Sequence, residues 1–108
     1  MAKEITRGAL AEAILSKDPP IVLEALARKY YAAGHIPSAQ ALPPDELAKL
    51  VPELVPDMAR GIVVYCASDT CANSHQAAAW LTERGYSNVA VYPGGKKDWI
   101  EAGLKLER

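Results

Sequence analysis

The sequence lacks the features that announce several large classes of protein. Neither sign of charge is in excess: 12 lysines and arginines stand against 13 aspartates and glutamates, and neither half of the chain is strongly biased. That balance speaks against nucleic acid or an anionic membrane as a partner. There is no long hydrophobic run. The opening stretch MAKEITRGALAEAILSKDPP scatters charges among its apolar residues, unlike a signal peptide or a membrane span, so a cytoplasmic location is expected. With only two cysteines in a reducing compartment, the pair is more readily chemical than structural. No repeat, low-complexity segment or interdomain linker interrupts the chain. Its 108 residues leave room for one domain, 1–108, with a core that needs no disulfide staples.

What is present is an alternation of short apolar runs and helical patterns. Leu10, Ile14 and Leu15 have helical spacing in a segment that stops at Asp18, Pro19 and Pro20. Residues 21–26, IVLEAL, read as a buried strand. RKYYAAGH follows as a short helix closed by Gly34, and SAQAL as a short strand. PDELAKLV and PELV read as two helical pieces, each with proline at its first position. The clearest strand begins at Gly61. A helix over 74–84 ends at Gly85, SNVAVY forms the next strand, and a glycine turn leads to a short helix around Trp99 and Ile100 that stops at Gly103. Strands that are apolar on both faces and alternate with helices predict an α/β fold, a central parallel sheet covered by helices on both faces.

The chemistry concentrates in residues 65–80, YCASDTCANSHQAAAW, which hold both cysteines and one of the two histidines. Here a strand feeds a loop that opens a helix, the position at which open parallel sheets bind ligands. Cys66 lies at the strand end, where backbone amides and a helix N-terminus lower a thiol's pKa; a last core cysteine of the strand is the plain alternative. Cys66, Cys71 and His75 are three potential metal ligands at spacings that do not suit a four-ligand zinc site, and no metal or other cofactor is expected. A solvated His75, a His35 that ties a turn together, and packing roles for Trp80, Trp99, Tyr30 and Tyr31 are the ordinary assignments. Lys96 and Lys97 follow a strand end on the same sheet edge as Cys66 and are the local candidates for attracting an anion.

Taken in order, IVLEALARKYYAAGHIPSA, IVVYC, SHQAAAWLTERGYSNVAVYPGGKKDW and AGLKL resemble the rhodanese-like family across nearly the whole chain. The resemblance implies a three-layer α/β domain and a sulfurtransferase whose cysteine, at Cys66, accepts sulfane sulfur as a persulfide. The donor would be a small sulfur compound such as thiosulfate or a persulfide, and the recipient a thiol or an acceptor protein. Backbone amides of the loop, Ala67, Ser68, Asp69, Thr70, Cys71, Ala72 and Asn73, would cradle the sulfur. Ser68, Thr70 and Ser74 would add hydroxyls.

The sequence also departs from the family pattern. If Ser74 is the serine that opens the helix, Asn73 stands where members of the family carry arginine, and the loop is two residues longer. Glu24, Ala25 and Leu26 replace the usual aspartate, valine and arginine, and Ser38 replaces the second glycine of the GHIPGA segment. Fold relatives with longer loops hydrolyse phosphate esters, which takes a guanidinium to neutralise the phosphoryl group. Residues 66–74 contain no cation. Asp69, if about 5 Å from a bound anion, would cost about 3 kcal/mol at an effective dielectric of about 20. Phosphatase chemistry is therefore disfavoured. Two roles stay open for Cys71: a second working thiol that attacks a Cys66 persulfide, or a small packing residue at the helix start. Beside sulfur transfer stand a noncatalytic binding module and a redox sensor using a Cys66–Cys71 disulfide.

Overall fold

A computed structural model describes residues 3–108. Its strands are β1 (Lys3–Glu4), β2 (Ile21–Glu24), β3 (Gln40–Ala41), β4 (Ile62–Tyr65) and β5 (Val89–Tyr92). They form one sheet in the order β1-β5-β4-β2-β3, every pair parallel. The helices are α1 (Arg7–Ile14), α2 (Arg28–Ala33), α3 (Leu47–Leu54), α4 (Asn73–Glu83) and α5 (Gly95–Glu101), with a 3-10 turn over Pro44–Glu46 leading into α3. Among the described residues no helix is long and apolar enough to cross a membrane.

Two cores flank the sheet because successive side chains of a strand point to opposite faces. Leu23, Ile62, Val64, Val89 and Val91 pack with Val51 of α3 and Ala77, Ala78 and Leu81 of α4. Val22, Val63, Tyr65 and Tyr92 pack with Leu10 of α1 and Trp99 of α5. Each fully buried aliphatic side chain contributes roughly 1.5–3 kcal/mol relative to exposure. This is the expected three-layer α/β architecture.

Several local expectations need correction. The edge strand β1 was not visible in a charged two-residue segment; its pairing with β5, Lys3 opposite Ala90 and Glu4 opposite Val91, is a tertiary effect. Helix α1 begins under the Thr6 cap, whose Oγ1 accepts from the Ala9 amide at 3.1 Å, and it ends at Ile14. Leu15 is exposed rather than core. Pro44 does open a helical turn, but Pro52 lies inside α3. The proline forfeits one backbone hydrogen bond, and the apolar face of Leu47, Leu50, Val51 and Leu54 against the sheet outweighs that loss. Strands β2 and β5 are shorter than the apolar runs that encode them.

His35 ties down a turn, as expected from its place after Gly34. Its ring stacks on Tyr31 with centroids 3.8 Å apart, Nδ1 lies 3.1 Å from the Tyr31 carbonyl, and its backbone bridges Glu107 in the tail. Ser38, three residues on, adopts φ 71°, a left-handed conformation that costs a residue with a side chain roughly 1–2 kcal/mol. The Glu107 carboxylate, accepting from the Ser38 amide at 3.1 Å, helps to hold it. Glycine at this position relieves the strain but loses more chain entropy on folding. Ser38→Gly is expected to raise stability by about 0.5–1 kcal/mol, measured by urea denaturation.

Candidate active site

Because β4 lies between β2 and β5 with Glu24, Tyr65 and Tyr92 in register, the three strands deliver their following residues to one edge. Cys66 leaves β4 there, and its loop returns to the sheet at α4. A turn in which the Ser68 carbonyl accepts from the Cys71 amide at 3.1 Å folds the loop back over the strand end. Cys66 is only 1% exposed. Its Sγ lies 3.2 Å from the Cys71 carbonyl and 3.3 Å from Ser74 Oγ. The cysteine is thus at once the last buried residue of the strand and the floor of the loop.

The loop's peptide orientations are imposed from outside. Gly95, the first residue of α5, lies against the Cys66 backbone so closely that a Cβ there would stand 2.4 Å from the Cys66 carbonyl oxygen, and its φ is +66°. Glycine alone suits both conditions. The contact lets the Lys96 and Lys97 amides donate to the Cys66 and Ala67 carbonyls at 3.0 and 2.9 Å. A trans peptide points its N–H opposite its C=O, so turning these carbonyls toward α5 turns the Ala67 and Ser68 amides to the other side.

Both thiols are free, and their environments differ. Burial pushes the Cys66 thiol above the ordinary cysteine value, and the Cys71 side chain adds to the rise; the Ser74 hydroxyl and amide only partly offset them. Burial also works against ionisation of half-buried Cys71, but the Cys66 thiol and the amides of Asn73 and Ala67 outweigh it and lower the Cys71 pKa. Cys71 is therefore the more readily ionised of the two thiols, while the Cys66 thiol donates to the Cys71 carbonyl.

Of the other loop residues, Ser74 is brought to the Cys66 sulfur. The Ser68 and Thr70 hydroxyls instead bond one another at 3.0 Å. Ala67, Asp69 and Ala72 are exposed. The Asn73 side chain donates to the Ala25 carbonyl at 3.1 Å, so its amide is spent fastening α4 to the end of β2. His75 is exposed, and among the described residues no three His, Cys, Asp or Glu side chains are grouped to hold a metal ion.

Lys96 is not a free anion attractor. Its ammonium lies 2.9 Å from Glu24 Oε1 and donates to the Tyr30 carbonyl at 2.6 Å. Glu24 is fully buried, and its Oε2 accepts from the Tyr65 hydroxyl at 2.7 Å, which in turn accepts from the Ile36 amide at 3.0 Å. Burial and the Glu24 carboxylate push the Tyr65 pKa upward. This buried network under the site was missed in the sequence, where the only signal was a glutamate closing an otherwise apolar run. Gly95 was read there as part of a turn, without its contact to Cys66.

Breaking a buried ion pair by removing one partner costs about 3–5 kcal/mol, because the other charge is left buried alone. Lys96→Met is expected to lose stability on that scale in urea denaturation, and adding Glu24→Gln to it should restore a large part.

Comparisons with known proteins agree with this geometry. A family profile described as Rhodanese-like domain matches residues 7–102. A sulfurtransferase from Allochromatium vinosum is 30% identical over 106 residues, 98% of this chain and 95% of that protein. The thiosulfate:glutathione sulfurtransferase of Saccharomyces cerevisiae is 39% identical over 67 residues, 62% of this chain but only 47% of the yeast protein. Among solved structures, a thiosulfate sulfurtransferase from Pseudomonas aeruginosa superposes with a TM-score of 0.84 at 27% identity, over 99% of this chain and 20% of that one. With a matching profile over most of its length, a full-length curated relative and the parallel sheet that carries Cys66 at a strand end, the chain belongs to the rhodanese-like domain family.

Proposed function

We propose that the protein is a rhodanese-type sulfurtransferase that carries sulfane sulfur as a persulfide on Cys66 and passes it to a thiol or another thiophilic acceptor. The observation that carries this reading is the position of Cys66: the end of β4, on the floor of a loop whose first two carbonyls are turned to α5. The names of the curated relatives support the reaction class.

Cys71, the more readily ionised of the two thiols, prepares the first step. Cys71 accepts the proton of the Cys66 thiol, and the Cys66 thiolate attacks the outer sulfur of the donor. With thiosulfate the donor's S–S bond breaks and sulfite leaves with the bonding pair. With a small persulfide the corresponding thiolate leaves. An acceptor thiolate then attacks the outer sulfur of the Cys66 persulfide, and Cys66 departs as thiolate, stabilised by the Ser74 amide and hydroxyl. Transfer at the outer sulfur leaves the protein's oxidation state unchanged.

Thiosulfate is a dianion and the loop offers it no cation, since residues 66–74 carry none and Lys96 is committed to Glu24. Millimolar or weaker saturation is expected, about 4 kcal/mol of binding or less, with a lower Michaelis constant for a small persulfide. The decisive experiment follows transfer from both donors to cyanide, comparing the native chain with Cys66→Ser. The variant should fall to the uncatalysed rate with either donor; equal turnover by the two proteins overturns the proposal.

A further inference from the structure

The second loop cysteine has no role in transfer through the outer sulfur beyond accepting a proton, yet the fold places it against the first. Cys66 Sγ lies 3.2 Å from the Cys71 carbonyl, so the backbone that carries the second thiol is already in contact with the first. The segment joining them is held to the rest of the protein chiefly at its start, by the Lys96 and Lys97 amides. Ala67, Asp69, Thr70 and Ala72 are exposed, so a small closure of the loop meets little packing.

Burial divides the two sulfurs of a Cys66 persulfide between two kinds of attacker. The inner sulfur is Cys66 Sγ, with the residue 1% exposed, and once it is loaded the outer sulfur stands in the approach by which the donor reached it. The outer sulfur extends into the loop mouth, where an acceptor can reach it. Cys71 is already beside the inner sulfur. A tethered thiol acts at an effective concentration of about millimolar or more, so it competes with any acceptor present below that level.

We propose that Cys71 resolves the Cys66 persulfide from within, so that the protein releases sulfide and stores the oxidising equivalents as a Cys66–Cys71 disulfide. The inference rests on Cys66 as the persulfide carrier. In the step, the Cys71 thiolate attacks Cys66 Sγ, the S–S bond of the protonated persulfide breaks, and its outer sulfur leaves as hydrosulfide with the bonding pair. The sulfane sulfur is reduced by two electrons and the dithiol is oxidised by two. A low-molecular-weight thiol or a dithiol protein then reduces the disulfide and restores both cysteines. The amides of Ala67 and Asn73 favour the Cys71 thiolate, and the thiolate is the attacking species. The molecule would thus work as a persulfide reductase when acceptor is scarce and as a transferase when acceptor is abundant.

The test is a single turnover of the reduced full chain with one equivalent of glutathione persulfide and no other reductant. Samples are quenched by alkylation and read by intact-mass spectrometry, with free sulfide measured in parallel. The native protein should gain one sulfur atom transiently and then become a species two hydrogens lighter than the dithiol, with one equivalent of sulfide released. Cys71→Ser and Cys71→Ala should gain the sulfur more slowly, because the proton acceptor for Cys66 is lost, but once loaded should hold it about tenfold longer or more and form no lighter species. Equal persulfide lifetimes in all three proteins, with no lighter species from the native chain, overturn the role of Cys71 and leave Cys66 as a carrier. Failure of all three to gain sulfur, shown folded by their thermal transitions, overturns the carrier reading itself and this inference with it.

Discussion

The approach of α5 to the strand end is the contact on which the site's geometry depends. A loop of seven residues between a strand and a helix has many ways to orient its peptides. Two hydrogen bonds, from the Lys96 and Lys97 amides to the Cys66 and Ala67 carbonyls, remove that freedom for its first two peptides. They are possible because Gly95 lets two backbones come closer than any side chain permits. The chemical consequence is carried by covalent planarity: fixing the carbonyls on one side fixes the amides on the other. A helix more than 25 residues away in sequence thereby helps to set the acidity of thiols it does not touch with any side chain.

Beneath this backbone arrangement sits a second constraint, in which charge is confined to the core. Glu24 ends an interior strand of the sheet and is held by Lys96, Tyr65 and, through Tyr65, by the Ile36 amide. The network joins β2, β4, α5 and the segment after α2, all of them surrounding the loop. A buried pair of this kind is weak evidence for stability, since apolar residues of similar volume often serve as well. Its effect is on position, because each partner leaves a charge or donor stranded if the others shift.

The fold was legible in the sequence wherever local pattern and tertiary contact agree. The apolar runs IVLEAL and IVVY, the helix closed by Gly85 and the loop between a strand and a helix were all readable from periodicity and turn chemistry. What was not readable depends on partners distant in sequence. Lys3 and Glu4 form a strand only because β5 presents a free edge, and Pro52 stays within a helix only because the face around it is buried. Lys96 looked like a solvated charge until Glu24 lay 2.9 Å from it. Cys66 was legible as a strand-end thiol, whereas the greater acidity of Cys71 arises from the Cys66 thiol and from amide orientations that no spacing encodes. Ser38 shows the reverse case: it stood out as a departure from a glycine position, and its left-handed φ gives that departure a physical cost.

Neutralising Lys96 in the core also shapes how molecules arrive. A cationic loop focuses anions from solution and gives encounter rates that collapse as salt is added. Here the loop mouth presents hydroxyls, amides and the exposed Asp69 carboxylate, while the nearby ammonium is already matched to a carboxylate. Lys96 therefore adds little to the long-range attraction of an anionic donor, and the exposed cation beside it is Lys97. Selection among donors passes from long-range attraction to the bond being broken, where the stability of the departing anion decides which compound reacts. Such a surface is less sensitive to salt than a cationic loop, because the Lys96 charge that salt would screen has been folded inside the protein.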